Sequence, residues 1–291
     1  MNQILPLAIA GIAVGCTYAL VALGFVLIYK TTAVVNFAQG ELMMLGGFVG
    51  LALATAGWSW PFALAGAALV TALCGLLLER AALQPLRGQP HIPIVMTTLG
   101  IGFMLKGGAA MLPGWGAETH VLPSPLAGTV VALMDIPVAA DHLLTIGAAA
   151  LLGLLLFGFF RFSRLGKALR ASAQNPLGAR LVGISLPRMH GLAWALAAGL
   201  AAVAGVLLAP ITFVHAQMGV IGLKALPAAV IGGFGSVPGA VAGGLLLGLV
   251  ESFAGFYAPD GIKDVAAHVL VLLVLLWRPA GLCGNRTQEN V

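Results

Sequence analysis

Charge is the scarcest property of this sequence. Only 8% of its 291 residues are Asp, Glu, Lys or Arg, 60% are hydrophobic, and the mean hydropathy is +1.05. A soluble domain carries about a quarter charged residues. With so few polar groups to cover a water-facing surface, the apolar excess must face lipid. Cysteine is also rare. Cys16, Cys74 and Cys283 lie far apart without a CxxC pair, so free, buried thiols are expected rather than disulfides or a metal site. No Lys or Arg precedes Lys30, so the charged start of a signal peptide is missing and the first apolar run is expected to be retained.

Further absences exclude whole classes of chemistry. There is no GxxxxGK[ST] phosphate loop, so the chain is not expected to hydrolyse nucleotide. The six histidines show no HExxH spacing, and no GxSxG nucleophile motif occurs. No cofactor and no enzymatic activity are expected. The apolar runs lack the buried charge ladder of a proton-coupled pump, so any active transport must draw energy from another chain. The net charge of +5 lies in short loops between apolar runs, which fits membrane orientation rather than nucleic-acid binding.

What the sequence does have is runs long enough to cross a bilayer, which takes about 20 apolar residues. Residues 4–29, 34–56, 61–78, 92–112, 143–160 and 189–214 qualify. Residues 223–234 are short, 238–256 are rich in glycine, and 261–277 close the series. The expected fold is one all-α membrane domain over residues 1–291, with about eight or nine transmembrane or part-crossing helices. Residues 223–234 either cross or dip in as a re-entrant half-helix. Lys30, Arg80, Arg87, the six cations from Arg161 to Arg188, Arg278 and Arg286 share one face, eleven of fourteen. Lys106, Lys224 and Lys263 fall elsewhere, and Glu118, Asp135, Asp141, Asp260 and Asp264 take the opposite face. The positive-inside rule then puts the N-terminus outside and the C-terminus in the cytoplasm. Residues 113–141, with four prolines, read as an irregular periplasmic loop, with or without a short interfacial element.

Three clusters stand out. The first is the insert 161–188, which has no Asp or Glu. Arg161, Arg164, Lys167 and Arg170 recur every three residues and would fall near one helix face. For Arg161 and Arg164 a lipid-headgroup anchor suffices. Beyond them Asn175 is placed as an N-cap, Pro176 as the first helical residue and Gly183 as a stop, with Leu177, Leu181 and Val182 apolar between them. A capped two-turn helix in a cytoplasmic loop fits a docking element better than a mere marker of sidedness. The second cluster is Asn36, Gln39 and Glu41 at the cytoplasmic start of the second span. Helix capping with interfacial solvation and a translocation role both remain open. The third runs from Gly222 to Gly244, with a break at Gly235-Ser236-Val237-Pro238. Gly239 with Gly243, and Gly244 with Gly248, are spaced for close helix contact. Glu251 follows inside a span, as a structural carboxyl or a pathway group. Lys224 reads as a side chain reaching the outer surface. Thr97 and Thr98, early in the fourth span, are expected to bond their own helix backbone. Leu45-Gly46-Gly47-Phe48 echoes Ile231-Gly232-Gly233-Phe234, a match short enough to be chance.

These clusters resemble the LivH-type permease subunit of branched-chain amino acid ABC importers over nearly the whole chain. The resemblance rests on Tyr18 to Gly24 with Leu27-Ile28-Tyr29, on Asn36 to Glu41, on Thr98-Leu99-Gly100 and on Arg170 to Ile184. It continues through Lys224 to Gly244 with Glu251 and Arg278-Pro279-Ala280-Gly281-Leu282. It implies a second related permease subunit, two cytoplasmic ATPase subunits, a periplasmic solute-binding protein and a multi-pass place in a bacterial inner membrane. It also implies that Arg170, Gln174, Asn175, Arg180, Leu181 and Gly183 form the ATPase-coupling loop. Asn36, Gln39, Glu41, Thr97, Thr98 and Glu251 are the candidates for the translocation path. Relatives of this kind carry urea, short amides or other amino acids, so the solute class stays open at this point. A self-sufficient channel or secondary transporter is the rival of another class, and the capped helix disfavours it.

Overall fold

A helix that is apolar on every face has no side for water and is covered by protein or by lipid. The two long apolar helices covered by protein are α1 (Ile4–Thr32) and α8 (Leu186–Thr212). In the computed structural model, which describes residues 4–116, 118–133, 136–259 and 262–284, they form the centre of the molecule. At about 1.5 Å per residue each is roughly 40 Å long, enough for a hydrocarbon core. Around them stand α2 (Gln39–Thr55), α3 (Trp60–Leu78), α4 (His91–Met111), α5 (Ala140–Phe162), α11 (Val237–Tyr257) and α12 (Ile262–Trp277). The apolar windows of α3, α4 and α5 are only 22%, 22% and 11% buried, so these helices present the outer, lipid-facing wall.

Small residues set the helix spacing. Gly244 of α11 lies against Ala19, and Gly248 against Gly15 and Gly11, so α11 runs antiparallel to α1 at close approach. Gly46 of α2 sits on Ala202 of α8, while Gly75 of α3 meets Trp194 and Ala198. Gly239 and Gly243 face the carbonyls of Gly232 and Ala228 in α10 (Ala225–Gly232). The glycine spacings seen in the sequence therefore serve two different partners of α11.

Among the described residues six helices, at Ile4–Thr32, Trp60–Leu86, Ile92–Met111, Ala140–Phe162, Leu186–Thr212 and Val237–Tyr257, are long and apolar enough to cross a membrane. The 17-residue α2, the broken pair α9 (Met218–Leu223) and α10, and the 16-residue α12 are shorter. Asp135, Asp260 and Arg286, used above for orientation, lie outside the described residues.

Several expectations need correction. The second span does not begin at Val34. Ala33 adopts φ 55°, and the chain runs without helix to Gln39. The run expected at 223–234 starts earlier, at Met218, and breaks at Lys224. Arg161, Arg164, Lys167 and Arg170 do not share one helix. Ser163 ends α5 and its side chain accepts from the Gly166 amide at 2.9 Å, capping α6 (Arg164–Gln174). The loop 113–141 is not wholly irregular. Antiparallel strands β1 (Val130–Leu133) and β2 (Ile136–Ala139) pair Val130 with Ala139 and Val131 with Val138. The same loop is tied to the α8–α9 turn by reciprocal backbone hydrogen bonds of 2.8 Å between His120 and Val214. Trp115 stacks on Phe48 of α2 at 5.0 Å. Cys283 is exposed and Cys16 and Cys74 half-buried, although all three thiols are free. The Leu45–Phe48 echo, a match short enough to be chance, has its two copies in different settings. Its first copy lies inside α2 and its second at the end of α10.

Candidate functional site

The break between α1 and α2 is where polar side chains enter the core. Asn36 and Gln39 are fully buried, as is Thr98 of α4. The Asn36 amide nitrogen donates to Gln39 Oε1 at 3.2 Å, and Asn36 Oδ1 accepts from the Ala38 amide at 3.0 Å. Asn36 therefore closes a local turn. It does not cap α2, whose N-cap position is Ala38. Gln39 Nε2 donates to the carbonyl of Ala197 at 2.9 Å. Ala197 lies near the middle of α8, and the Gln39 amide also abuts Gly24 inside α1. The cluster thus lies well inside the bundle, not at the cytoplasmic start of a span. The reason is the fold-back after Thr32, which carries the chain alongside α1 before α2 begins.

Glu41, one turn into the same cluster, is 8% exposed, and its Oε2 has no hydrogen-bond partner. A Cβ at Gly219 of α9 would collide with this carboxylate, and one at Gly102 of α4 would come within 3.5 Å of Glu41 Cγ. The bare Gly219 thus makes the room in which the carboxylate sits, with Gly102 in ordinary contact on the other side. Lys106, one helical turn beyond Gly102, acts on Glu41 as the nearby positive charge and donates to Gln217 Oε1 at 2.9 Å. A buried carboxylate oxygen without a donor is costly. The arrangement can accept a hydrogen bond from a positively charged group and offers a cation a short way off.

The other pathway candidates divide. Thr98 Oγ1 donates to Val95 O at 2.8 Å and accepts from the Phe37 amide at 3.3 Å, so it holds the break in place. Thr97 donates to Pro93 O at 2.8 Å on the exposed side of α4 and stands apart from the cluster. Glu251 is also separate. Its Oε2 accepts from Tyr18 at 2.6 Å, its Oε1 from Lys224 at 3.2 Å, and Lys263 lies 3.8 Å away. Glu251 therefore ties α1, α12 and the α9–α10 break to α11. Lys224 is engaged in this ion pair, not extended to an outer surface. Lys106, Gln217, Gly102 and Gly219 were missed as site residues. Lys106 had left a signal, as a lone cation within an apolar run on the wrong face.

The basic insert resolves into two helices at Asn175. Arg170 and Gln174 belong to α6, Arg180 and Leu181 to α7 (Pro176–Leu181). Asn175 Oδ1 accepts from the Gly178 amide at 2.9 Å, as an N-cap does. At the other end Gly183, at φ 82°, donates to Arg180 O at 3.0 Å, and Ile184 donates to Ala179 O at 2.9 Å. These two bonds are the Schellman stop that a left-handed glycine permits. Only Ala179 of α7 is buried, while Leu177, Leu181 and Val182 are 73%, 89% and 75% exposed. A rigidly capped helix thus projects bare apolar side chains among cations.

Comparison with known proteins decides the family. The profile described as "Branched-chain amino acid transport system / permease component" matches residues 7–277. The chain belongs to that family. It is 35% identical to the high-affinity branched-chain amino acid transport system permease protein BraD of Pseudomonas aeruginosa, over 97% of this chain and 96% of BraD. It is 33% identical to LivH of Escherichia coli K12 over the same shares. A solved structure of PsaBC from Streptococcus pneumoniae in complex with Fab aligns with TM-score 0.49 and 17% identity, covering 93% of this chain and 90% of that one. The permease, with its six apolar spans and these relatives, is a multi-pass protein of the bacterial inner membrane.

Proposed function

We propose that this permease is one membrane-spanning half of an ATP-driven importer for branched-chain amino acids. It pairs with a second, related permease subunit and takes solute from a periplasmic binding protein. Two cytoplasmic ATPase subunits drive it. The observation that carries this reading is α7, a helix fixed at both ends with its apolar residues left bare. In a chain without a nucleotide-binding motif, such a helix is the surface on which a separate motor can seat. ATPase closure would then shift α6 and α7 as a unit and change which side of the bundle is open.

In this reading the bundle crosses the membrane nine times, through α1, α2, α3, α4, α5, α8, the broken α9–α10 pair, α11 and α12. The N-terminus is outside and the C-terminus cytoplasmic. The break between α1 and α2 is the solute-contacting part. Glu41 would accept the amino acid's ammonium group and Lys106 would face its carboxylate. Asn36, Gln39 and Thr98 keep the backbone of the break in position. Glu251 is proposed as a structural tie and Thr97 as a wall residue.

A pulldown tests the assembly. The tagged permease, co-expressed with the genes beside its own and extracted in mild detergent, is expected to bring down an ATPase and a second permease. Recovery of the permease alone would defeat the importer reading. Ligand screening of the co-encoded binding protein checks the solute, with leucine, isoleucine or valine expected ahead of urea and amides.

A further inference from the structure

A cavity lies away from the Glu41 cluster, at the end of the bundle that carries the basic insert. It measures about 310 Å³, is open on one side, and is bounded by α1, α5, α6 and the start of α11. Its walls are apolar, with Leu23 and Leu27 of α1, Leu156 and Phe157 of α5, and Val241 of α11. Its rim is basic. Lys30, Arg161 and Arg170 converge on it from three different helices, and no Asp or Glu lines it. All three are exposed, and none has an ion-pair partner among the described residues. Gly153 leaves the α5 wall open, since a Cβ there would meet nothing within 4 Å.

We propose that this cavity binds one anionic phospholipid, with a phosphate headgroup on Lys30, Arg161 and Arg170 and an acyl chain between α1 and α5. The cavity's chemistry matches both ends of such a molecule. An apolar slot beside the lightly packed α5 suits hydrocarbon. Three unpaired cations above it suit a negative headgroup, and a basic pocket between helices on the cytoplasmic side is where such headgroups bind. The consequence reaches the coupling element. Arg170 and Gln174 of α6 border the cavity. A bound headgroup therefore fastens α6, and through Asn175 α7, to the ends of α1 and α5. The proposal shares with the functional reading only the assignment of this end to the cytoplasmic leaflet, and its test requires no transport.

The test uses the full-length permease, purified with its co-expressed partners, stripped of lipid and examined by native mass spectrometry. The probes are dioleoylphosphatidylglycerol, dioleoylphosphatidylcholine and inorganic phosphate. The phosphatidylglycerol adduct is expected to persist where the phosphatidylcholine adduct does not. Lys30→Gln, Arg161→Gln and Arg170→Gln are each expected to lower its retention about fivefold, the share of one near-surface cation. Arg164→Gln, outside the lining, should leave it unchanged. Gly153→Leu, which fills the slot and keeps every charge, should abolish retention. Equal retention of the two lipids, or full retention in Gly153→Leu, overturns the proposal. Displacement of phosphatidylglycerol by millimolar phosphate would make this a phosphate site instead. A crosslinker at Phe157→Cys that captures the partner permease would make it a protein interface.

Discussion

Glu41 holds a carboxylate oxygen without a donor in a space cleared by Gly219. A residue kept only for the electrostatics of a helix start would be solvated or capped. Glu41 is neither, and its carboxylate fills the space that the missing side chain of Gly219 leaves. Glu41→Gln retains the shape and removes the charge, so it isolates the proposed ammonium contact. A hydrogen bond to a charged group contributes about 1.5–3 kcal/mol, so the KM for amino acid uptake should rise roughly tenfold or more. Membrane insertion and ATPase assembly should be unchanged. Uptake kinetics identical to wild type would return Glu41 to the helix-start role. Glu251 is the contrasting case. Tyr18, Lys224 and Lys263 surround its carboxylate, so its capacity is spent within the fold. The sequence presents both as glutamates inside apolar runs, and only their neighbours separate them.

Helix α7 shows what local chemistry can specify. Asn175, Pro176 and Gly183 act within a few residues of one another, and cap, first turn and stop all form at the positions read from the sequence. The break after α1 obeys no such local rule. Ala33 and Phe213, neither a glycine, take left-handed φ values of 55° and 64°, and each ends a long central helix. After Ala33 come Val34 and Val35, which read as the continuation of a span. Packing against α8 and the Gln39–Ala197 bond hold the chain out of helix there, and a one-dimensional apolar pattern contains neither. The same limit hid the kink at Lys224, whose partner Glu251 lies on another helix. For α7 the prediction concerns coupling. Leu181→Asp places a charge on the most exposed apolar residue of the helix without touching its caps. Gly183→Asp puts a side chain on a left-handed backbone, at a cost of about 1 kcal/mol or more. Both variants should reach the membrane and lose most solute-stimulated ATP turnover. Normal turnover in both would remove the coupling role from α7.

Over the whole molecule, the two central helices end alike. α1 passes through Ala33 into a non-helical stretch and then Gln39, and α8 passes through Phe213 into another and then Gln217. Both stretches border the Glu41 region, and they approach it from opposite ends of the bundle. That is the layout of an inverted repeat, in which broken segments meet near the midplane around a solute site. Apart from the shared glutamine, almost nothing in the sequence marks it, because the repeat is carried by backbone direction. It requires α1 and α8 to run in opposite senses across the membrane, and so puts the ends of the two helices on opposite sides. The native thiols allow a direct test. Cys283 is exposed and follows α12, while Cys16 and Cys74 are half-buried in the spans. A membrane-impermeant maleimide applied to intact spheroplasts should leave Cys283 unmodified, and the same reagent on inverted vesicles should label it, as read from its peptide by mass spectrometry. Labelling on spheroplasts would place the C-terminal end outside. The basic insert would go with it, because Gly281 packs on Gly233 and Phe234 meets Tyr29 at a tilt at the same end of α1. Helix α7 would then face away from any cytoplasmic ATPase, and the importer mechanism would fail together with the topology.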